Sequence, residues 1–282
     1  MSDKMDAYEQ RTFDEIERWR HRPKSAIGRF VEPAEKLLHR AADFVLDNRA
    51  GQLVTKAVAG VLGIVNDGAA WSVLTSVIFR EYRNDGCADV TDLAGIRRLP
   101  LEQVDKTVGY LAAKYKLAAA AEGAASGAVG IFGIPHDVVS VVALSLRAVN
   151  EYATYYGYDV TLEHERRISL SVISLAAVTE IAAKEELMAT VAKVAAMAAK
   201  KKTWDQLEKV ALVKGAQHLA EALGIRLTKA KLAAVAPFFG AAVSAAFNAY
   251  FLKQVTDNAS MFYRDRFLRD KYDLWPEATD AV

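Results

Sequence analysis

Residues 118–159 read AAAAEGAASGAVGIFGIPHDVVSVVALSLRAVNEYATYYGYD. Gly123 and Gly127 are four residues apart, so they share one face of a helix, and this spacing lets a second helix backbone approach closely. Pro135 suits the first turn of a helix, and Gly157 suits its C-terminal end. We therefore predict two helices joined by a glycine-punctuated turn, an apolar hairpin at the centre of the fold.

The second helix of this hairpin, predicted over residues 136–156, is apolar on almost every side, which is typical of a buried helix. Polar residues nevertheless recur along it at helical spacing: Asp137, Ser140, Arg147, Glu151 and Thr154. Arg147 and Glu151 are four residues apart and are expected to pair, because a buried charge requires a partner. The stripe is either a structural ion pair that fixes the helix register or the polar lining of a ligand pocket or docking groove.

Composition favours a cytoplasmic helical protein. The chain has 282 residues, of which 52% are apolar and 25% charged, so a packed core is expected. A net charge of +1 argues against dedicated nucleic-acid binding. The single cysteine, Cys87, fits a reducing compartment, and the polar N-terminus lacks the apolar core of a secretion signal. We expect a cytoplasmic protein, with the inner face of the cell membrane as an alternative location.

No strand-period segment stands out, so we predict an all-α fold in a single helical-bundle domain. The expected organisation is an N-terminal amphipathic helix and linker over 1–30, the helical domain over 31–268, and a charged C-terminal tail over 269–282. An exposed helix is expected over 262–272. Leu232 to Leu252 contains no charged residue and is long enough to cross a bilayer; it is either buried in the bundle or placed against a membrane.

Two sets of candidate residues follow from these patterns. The candidates for a ligand site or buried polar network are Glu122, Asp137, Ser140, Arg147, Glu151, Arg167 and Asn248. The candidate helix-packing glycines are Gly123, Gly127 and Gly240.

The sequence contains no recognisable catalytic or metal-binding motif. His164-Glu165 begins like a zinc-protease helix, but that motif needs a second histidine at position 168, which is Ile168. The five histidines lack metal-ligand spacing, and the glycines of residues 123–133 are not followed by the Lys-Ser/Thr of a phosphate-binding loop. We therefore predict no catalytic residue, no metal site and no cofactor.

Several motifs together resemble a known family. They are the Glu122–Gly127 segment EGAASG followed by Gly130 and Gly133, the Leu99–Glu102 segment LPLE, and the Tyr156–Asp159 step YGYD. In these features the chain is similar to the EcsC family of bacterial proteins, from about Gly51 to Phe267. The family is named after a gene that accompanies an ABC transporter. The resemblance implies a cytoplasmic or membrane-associated accessory protein, with a transporter subunit as a candidate partner, and it implies no established reaction.

Three functional hypotheses remain open. The first is a non-enzymatic helical protein that binds a membrane lipid, an acyl ligand or a transporter. The second is a soluble, hydrolase-like enzyme, which predicts an internal polar cavity where at least two of Glu122, Asp137, Arg147 and Glu151 meet. The third is a scaffold that binds protein partners through its terminal helices. The oligomeric state is left open by the sequence.

Overall fold

The computed structural model describes residues 5–20, 48–68, 73–128, 130–178, 181–199, 209–234 and 241–275. These residues form eleven α-helices and one 3₁₀ turn, without a strand among them, which confirms the all-α prediction. The helices are α1 (Ala7–Arg20), α2 (Asn48–Asn66), α3 (Thr75–Asn84), α4 (Leu93–Ile96), α5 (Leu101–Val108), α6 (Leu111–Gly127), α7 (Ile134–Tyr155), α8 (Glu163–Ala177), α9 (Ile181–Ala199), α10 (Lys209–Ala234) and α11 (Ala241–Tyr272).

The predicted hairpin consists of α6 and α7, joined through the 3₁₀ turn over Gly130–Gly133. Pro135 lies in the first turn of α7, where its missing N–H leaves no helical hydrogen bond unmade. Gly157 follows the end of α7 with a φ of 84°, a backbone conformation that glycine adopts without steric cost. The chain therefore leaves α7 close to the position that the sequence predicts.

Helix α11 packs along α6, and Gly123 makes this approach possible. A Cβ atom at Gly123 would lie 2.6 Å from the carbonyl oxygen of Ser244 and 2.8 Å from the Cα of Ala245. Gly123 is near the end of α6 and Ser244 is near the start of α11, so the two helices run antiparallel. Of the other candidate glycines, Gly127 is the last residue of α6, and Gly240 lies outside the described residues.

The uncharged Leu232–Leu252 segment contributes to two helices. Helix α10 ends at Ala234 and α11 begins at Ala241, while residues 235–240 lie outside the described part of the chain. None of the helices within the described ranges is both long enough and apolar enough to span a membrane.

The expected exposed helix over 262–272 is wrong. Helix α11 continues to Tyr272, and its apolar residues in this stretch are buried: Phe262, Tyr263, Phe267 and Leu268. The charged residues there are not solvated separately but form ion pairs with α1, α5 and α8. Asp265 binds Arg20, and Lys271 binds Glu9 at 2.6 Å. The stretch was predicted to be exposed because the sequence shows its charged residues but not the oppositely charged residues of other helices that pair with them.

Candidate functional site

The first buried polar cluster joins α7, α10 and α11 around Asp137. Lys231 of α10, with 2% of its surface exposed, forms an ion pair with Asp137 and donates to Asn248 Oδ1 at 2.5 Å. Asn248 Nδ2 donates back to Asp137 Oδ1 at 2.7 Å, and Ser244 Oγ donates to Asp137 Oδ2 at 2.5 Å. We call these four residues the Asp137 cluster. Each of the four side chains therefore has a hydrogen-bond or ion-pair partner within the cluster.

Electrostatics keep Asp137 ionised. Burial is the largest single influence and would raise the pKa of its carboxyl group, but the charge of Lys231 and three hydrogen bonds together lower it below its ordinary value. The cluster is therefore a closed ion pair inside the bundle, where removal of either partner would strand a charge.

The second cluster surrounds Glu151. Its carboxylate forms ion pairs with Lys114 of α6 at 2.6 Å and with Arg147 of α7 at 3.1 Å. The predicted i,i+4 pair of Arg147 and Glu151 is therefore present, and Lys114 is a third member. The side chain of Glu151 is 7% exposed, whereas those of Lys114 and Arg147 are 45% and 49% exposed. We call these three residues the Glu151 cluster. The two cations lie outward of the acid.

The seven candidate polar residues do not form one network. Asp137 and Glu151 are 14 residues apart on α7, which places them about 21 Å apart along its axis. Glu122 lies beside the exposed His136, with 3.7 Å between Oε1 and Nε2. Ser140 and Arg167 are half-buried and take part in neither cluster. Two of the side chains named by the hydrolase hypothesis, Arg147 and Glu151, therefore meet, whereas its acids Asp137 and Glu151 lie far apart.

Two further polar clusters were not predicted from the sequence. Asp105 of α5 accepts hydrogen bonds from Tyr8 at 2.7 Å, from Tyr156, and from Arg264 at 3.0 Å. Glu165 of α8 forms a two-pronged ion pair with Arg266 of α11, at 2.6 and 2.7 Å. Arg266 and the other partners hold the pKa of Glu165 down to about 2 although its burial alone would raise it. These residues are 101 positions apart, so spacing could not reveal the pair.

A groove of about 370 Å³ is lined by residues of α1 together with Arg264 of α11. Its lining includes Tyr8, Thr12, Glu15 and Arg264. None of the polar residues selected from the sequence borders this groove. Within the described ranges, no three His, Cys, Asp or Glu side chains come together in a way that could hold a metal ion.

The outer side of α6 is apolar and open to solvent. Leu117 is 72% exposed, and Phe132, which lies in the 3₁₀ turn beyond α6, is 73% exposed. Between them the outward positions of α6 are alanines, and the neighbouring outward positions at the start of α11 are alanines too: Ala121, Ala124, Ala125, Ala128, Ala242 and Ala246. We call this surface the α6–α11 face. From Leu117 to Ala128 it is about 16 Å long.

Within the described ranges, the fold and the clusters define an all-α domain with buried ion pairs and with an apolar side of α6 exposed to solvent. The sequence profile of the EcsC protein family matches residues 10–268, and the chain belongs to that family. The uncharacterized protein YdbA of Bacillus subtilis (strain 168) is 24% identical over 264 residues, which cover 91% of this chain and 92% of YdbA. No solved structure matches the chain significantly.

Proposed function

We propose that this EcsC-family protein is a non-enzymatic, peripheral membrane-binding protein that contacts lipid through the α6–α11 face. The observation that carries the proposal is the exposure of Leu117 on the outer side of α6 and of Phe132 in the turn that follows α6. Large apolar side chains grouped on one surface mark interaction sites more often than single scattered ones do. The location that fits this role is the cytoplasmic face of the cell membrane.

The surroundings of these two side chains support a lipid partner. From Ala118 to Pro135 the only charged residue is Glu122, whose side chain is 32% exposed and lies beside His136. An apolar surface of this kind resembles the apolar side of helices that lie at a membrane interface. The hairpin also packs against α2, α8 and α11, so the domain would bind as a preformed unit.

The expected strength of binding can be estimated from exposed area. Complete burial of a Leu or Phe side chain contributes about 1.5–3 kcal/mol. Because Leu117 and Phe132 are about seven-tenths exposed, their transfer into lipid supplies about 2–4 kcal/mol in total. An interaction of this size is weak and reversible, comparable to or below that of a single acyl anchor.

The internal clusters favour binding over catalysis. Asp137 and Glu151 are each paired with cations, and they lie in separate parts of the bundle. General acid–base chemistry requires groups that reach the same substrate atoms. The scaffold hypothesis is also weakened in its original form, because α1 and the end of α11 are engaged with each other.

Vesicle flotation tests the proposal. The wild-type protein should float with lipid vesicles, and the double variant Leu117→Glu/Phe132→Glu should remain in the dense fraction, because two carboxylates on the face oppose its entry into lipid. The matched control is Leu162→Glu/Ile225→Glu, which alters two exposed apolar residues outside the face and should float as the wild type does.

Two results would contradict the proposed membrane binding through the α6–α11 face. If wild-type protein stays in the dense fraction with every vesicle composition, the protein does not bind lipid by itself. If the Leu117/Phe132 variant floats as well as the control variant does, lipid binding occurs elsewhere on the protein. Circular dichroism of each variant checks that the helical fold is intact.

A further inference from the structure

The α6–α11 face ends in positive charge. Lys114 and Leu117 are three residues apart on α6 and are therefore neighbours on one side of the helix. Arg147 joins Lys114 from α7, because both bind Glu151. Lys116 adds a third cation on α6; it is exposed and lies about 100° around the helix from Leu117, on the adjacent side. Apolar and cationic surfaces thus adjoin within one turn of helix.

The end of the α6–α11 face near Lys114 carries a net positive charge. The single carboxylate of the Glu151 cluster is 7% exposed, while the two cations above it remain about half exposed. The ammonium of Lys114 carries three hydrogens and uses one of them for Glu151. Glu81, a carboxylate on α3, is bound instead by the hydroxyls of Tyr110 and Tyr155. Glu151 thus holds the two cations in place and offsets one of their two positive charges, so the net charge of the Glu151 cluster stays positive.

Resting on the proposed function, we infer that the lipid partner is an anionic phospholipid bilayer, with Lys114, Lys116 and Arg147 contacting the phosphates of its headgroups. Charge complementarity selects this partner. A zwitterionic surface would give the cations little net attraction, whereas an anionic one attracts each nearby Lys or Arg. Long basic side chains also reach the headgroup level while apolar neighbours lie against the acyl region. Leu117 and Phe132 take that apolar role here.

Two substitutions with opposite effects test the inference. Binding is measured by flotation with vesicles of phosphatidylcholine alone and of phosphatidylcholine mixed with phosphatidylglycerol. Lys116→Gln should weaken binding to the mixed vesicles about fivefold, the value of one basic residue near an anionic surface. Glu151→Gln should strengthen it by a similar factor, because it removes the carboxylate beneath Lys114 and Arg147. Neither change should alter binding to phosphatidylcholine alone.

Lys229→Gln is the matched control, since Lys229 is an exposed lysine on α10, outside the face, and it should bind as the wild type does. High salt should weaken wild-type binding to the mixed vesicles and remove the difference between Lys116→Gln and wild type, because surface charges are screened. If Glu151→Gln fails to fold, Lys116→Gln and the salt series still decide the matter.

The outcomes separate the two proposals. Equal wild-type binding to both vesicle types, with Lys116→Gln unchanged, overturns the anionic inference and leaves membrane binding in place. Equal losses in Lys116→Gln and Lys229→Gln also overturn it, because the effect would then reflect net charge and not this site. No binding to either vesicle type overturns both proposals.

Discussion

Replacing Gly123 by alanine tests the close packing of α6 on α11. The new Cβ would lie 2.6 Å from the carbonyl oxygen of Ser244, 2.8 Å from the Cα of Ala245 and 2.8 Å from Nδ2 of Asn248. Two of these three atoms belong to backbone, so a side-chain rotation cannot relieve the contact. The helices must separate, and Asn248 must move away from Asp137.

The magnitude follows from three contributions. Overpacking costs about 1–3 kcal/mol, and weakening a hydrogen bond to a charged group costs about 1.5–3 kcal/mol. Alanine recovers about 1 kcal/mol of helix propensity relative to glycine. The net expectation is a loss of about 3 kcal/mol, which lowers the melting temperature by about 6–12 °C in a domain of this size.

Gly63→Ala in α2 is the matched control, because no atom lies within 4 Å of its Cβ position. It should stabilise the protein by about 0.5–1 kcal/mol, since only the propensity gain remains. Thermal unfolding followed by circular dichroism measures both variants. A Gly123→Ala protein that melts at or above the wild-type temperature would refute the tight contact between α6 and α11.

Two further predictions concern the buried ion pairs. Lys231→Met strands the Asp137 carboxylate and should cost about 3–5 kcal/mol at neutral pH; urea titrations at pH 7 and 5 should show the deficit shrinking at the lower pH, because burial then raises the pKa of Asp137 and protonation relieves the charge. Glu165 has a folded pKa of about 2, below its unfolded value, so its ion pair stabilises the protein above about pH 4.5 and loses that effect as the pH falls towards 2, a change of about 3 kcal/mol. Melting temperatures of wild type and Glu165→Gln should therefore converge between pH 5 and pH 2, and a constant difference would contradict the assignment.

Local pattern was sufficient for the hairpin. Pro135 and Gly157 mark the limits of α7 through backbone geometry that each imposes on its own neighbours. The four-residue spacing of Arg147 and Glu151 likewise encodes their contact directly. Features of this kind depend on residues within a few turns of one another, and sequence reasoning reached them.

The remainder of the polar architecture depends on contacts between distant segments. Lys231 lies 94 residues from Asp137, and Arg266 lies 101 residues from Glu165. From the sequence alone, a lysine in a helix is expected to be solvated, because lysine is rarely buried without a partner. The sequence therefore suggested one polar stripe on α7, whereas the structure divides its acids between two clusters with partners on different helices.

The exposure of the outer side of α6 could not be predicted from the sequence either. Its alanines fit a buried helix as well as an uncovered one, and the mean apolar character of the segment is the same in both cases. Only the positions of α7 and α11 show that Leu117 points away from the bundle. The opposite error occurred in α11, where charged residues near its end suggested exposure although α1 covers them.

The most direct measurement is fluorescence from a probe at the tip of the hairpin. Cys87 is the only cysteine, so a Cys87→Ser background permits an environment-sensitive nitrobenzoxadiazole label at Phe132→Cys or, as a control, at Leu162→Cys. With vesicles containing phosphatidylglycerol, we expect blue-shifted and brighter emission from position 132 and unchanged emission from position 162. Unchanged emission at position 132, under conditions where the protein floats with the vesicles, would show that the hairpin tip does not enter lipid and would contradict membrane binding through the α6–α11 face.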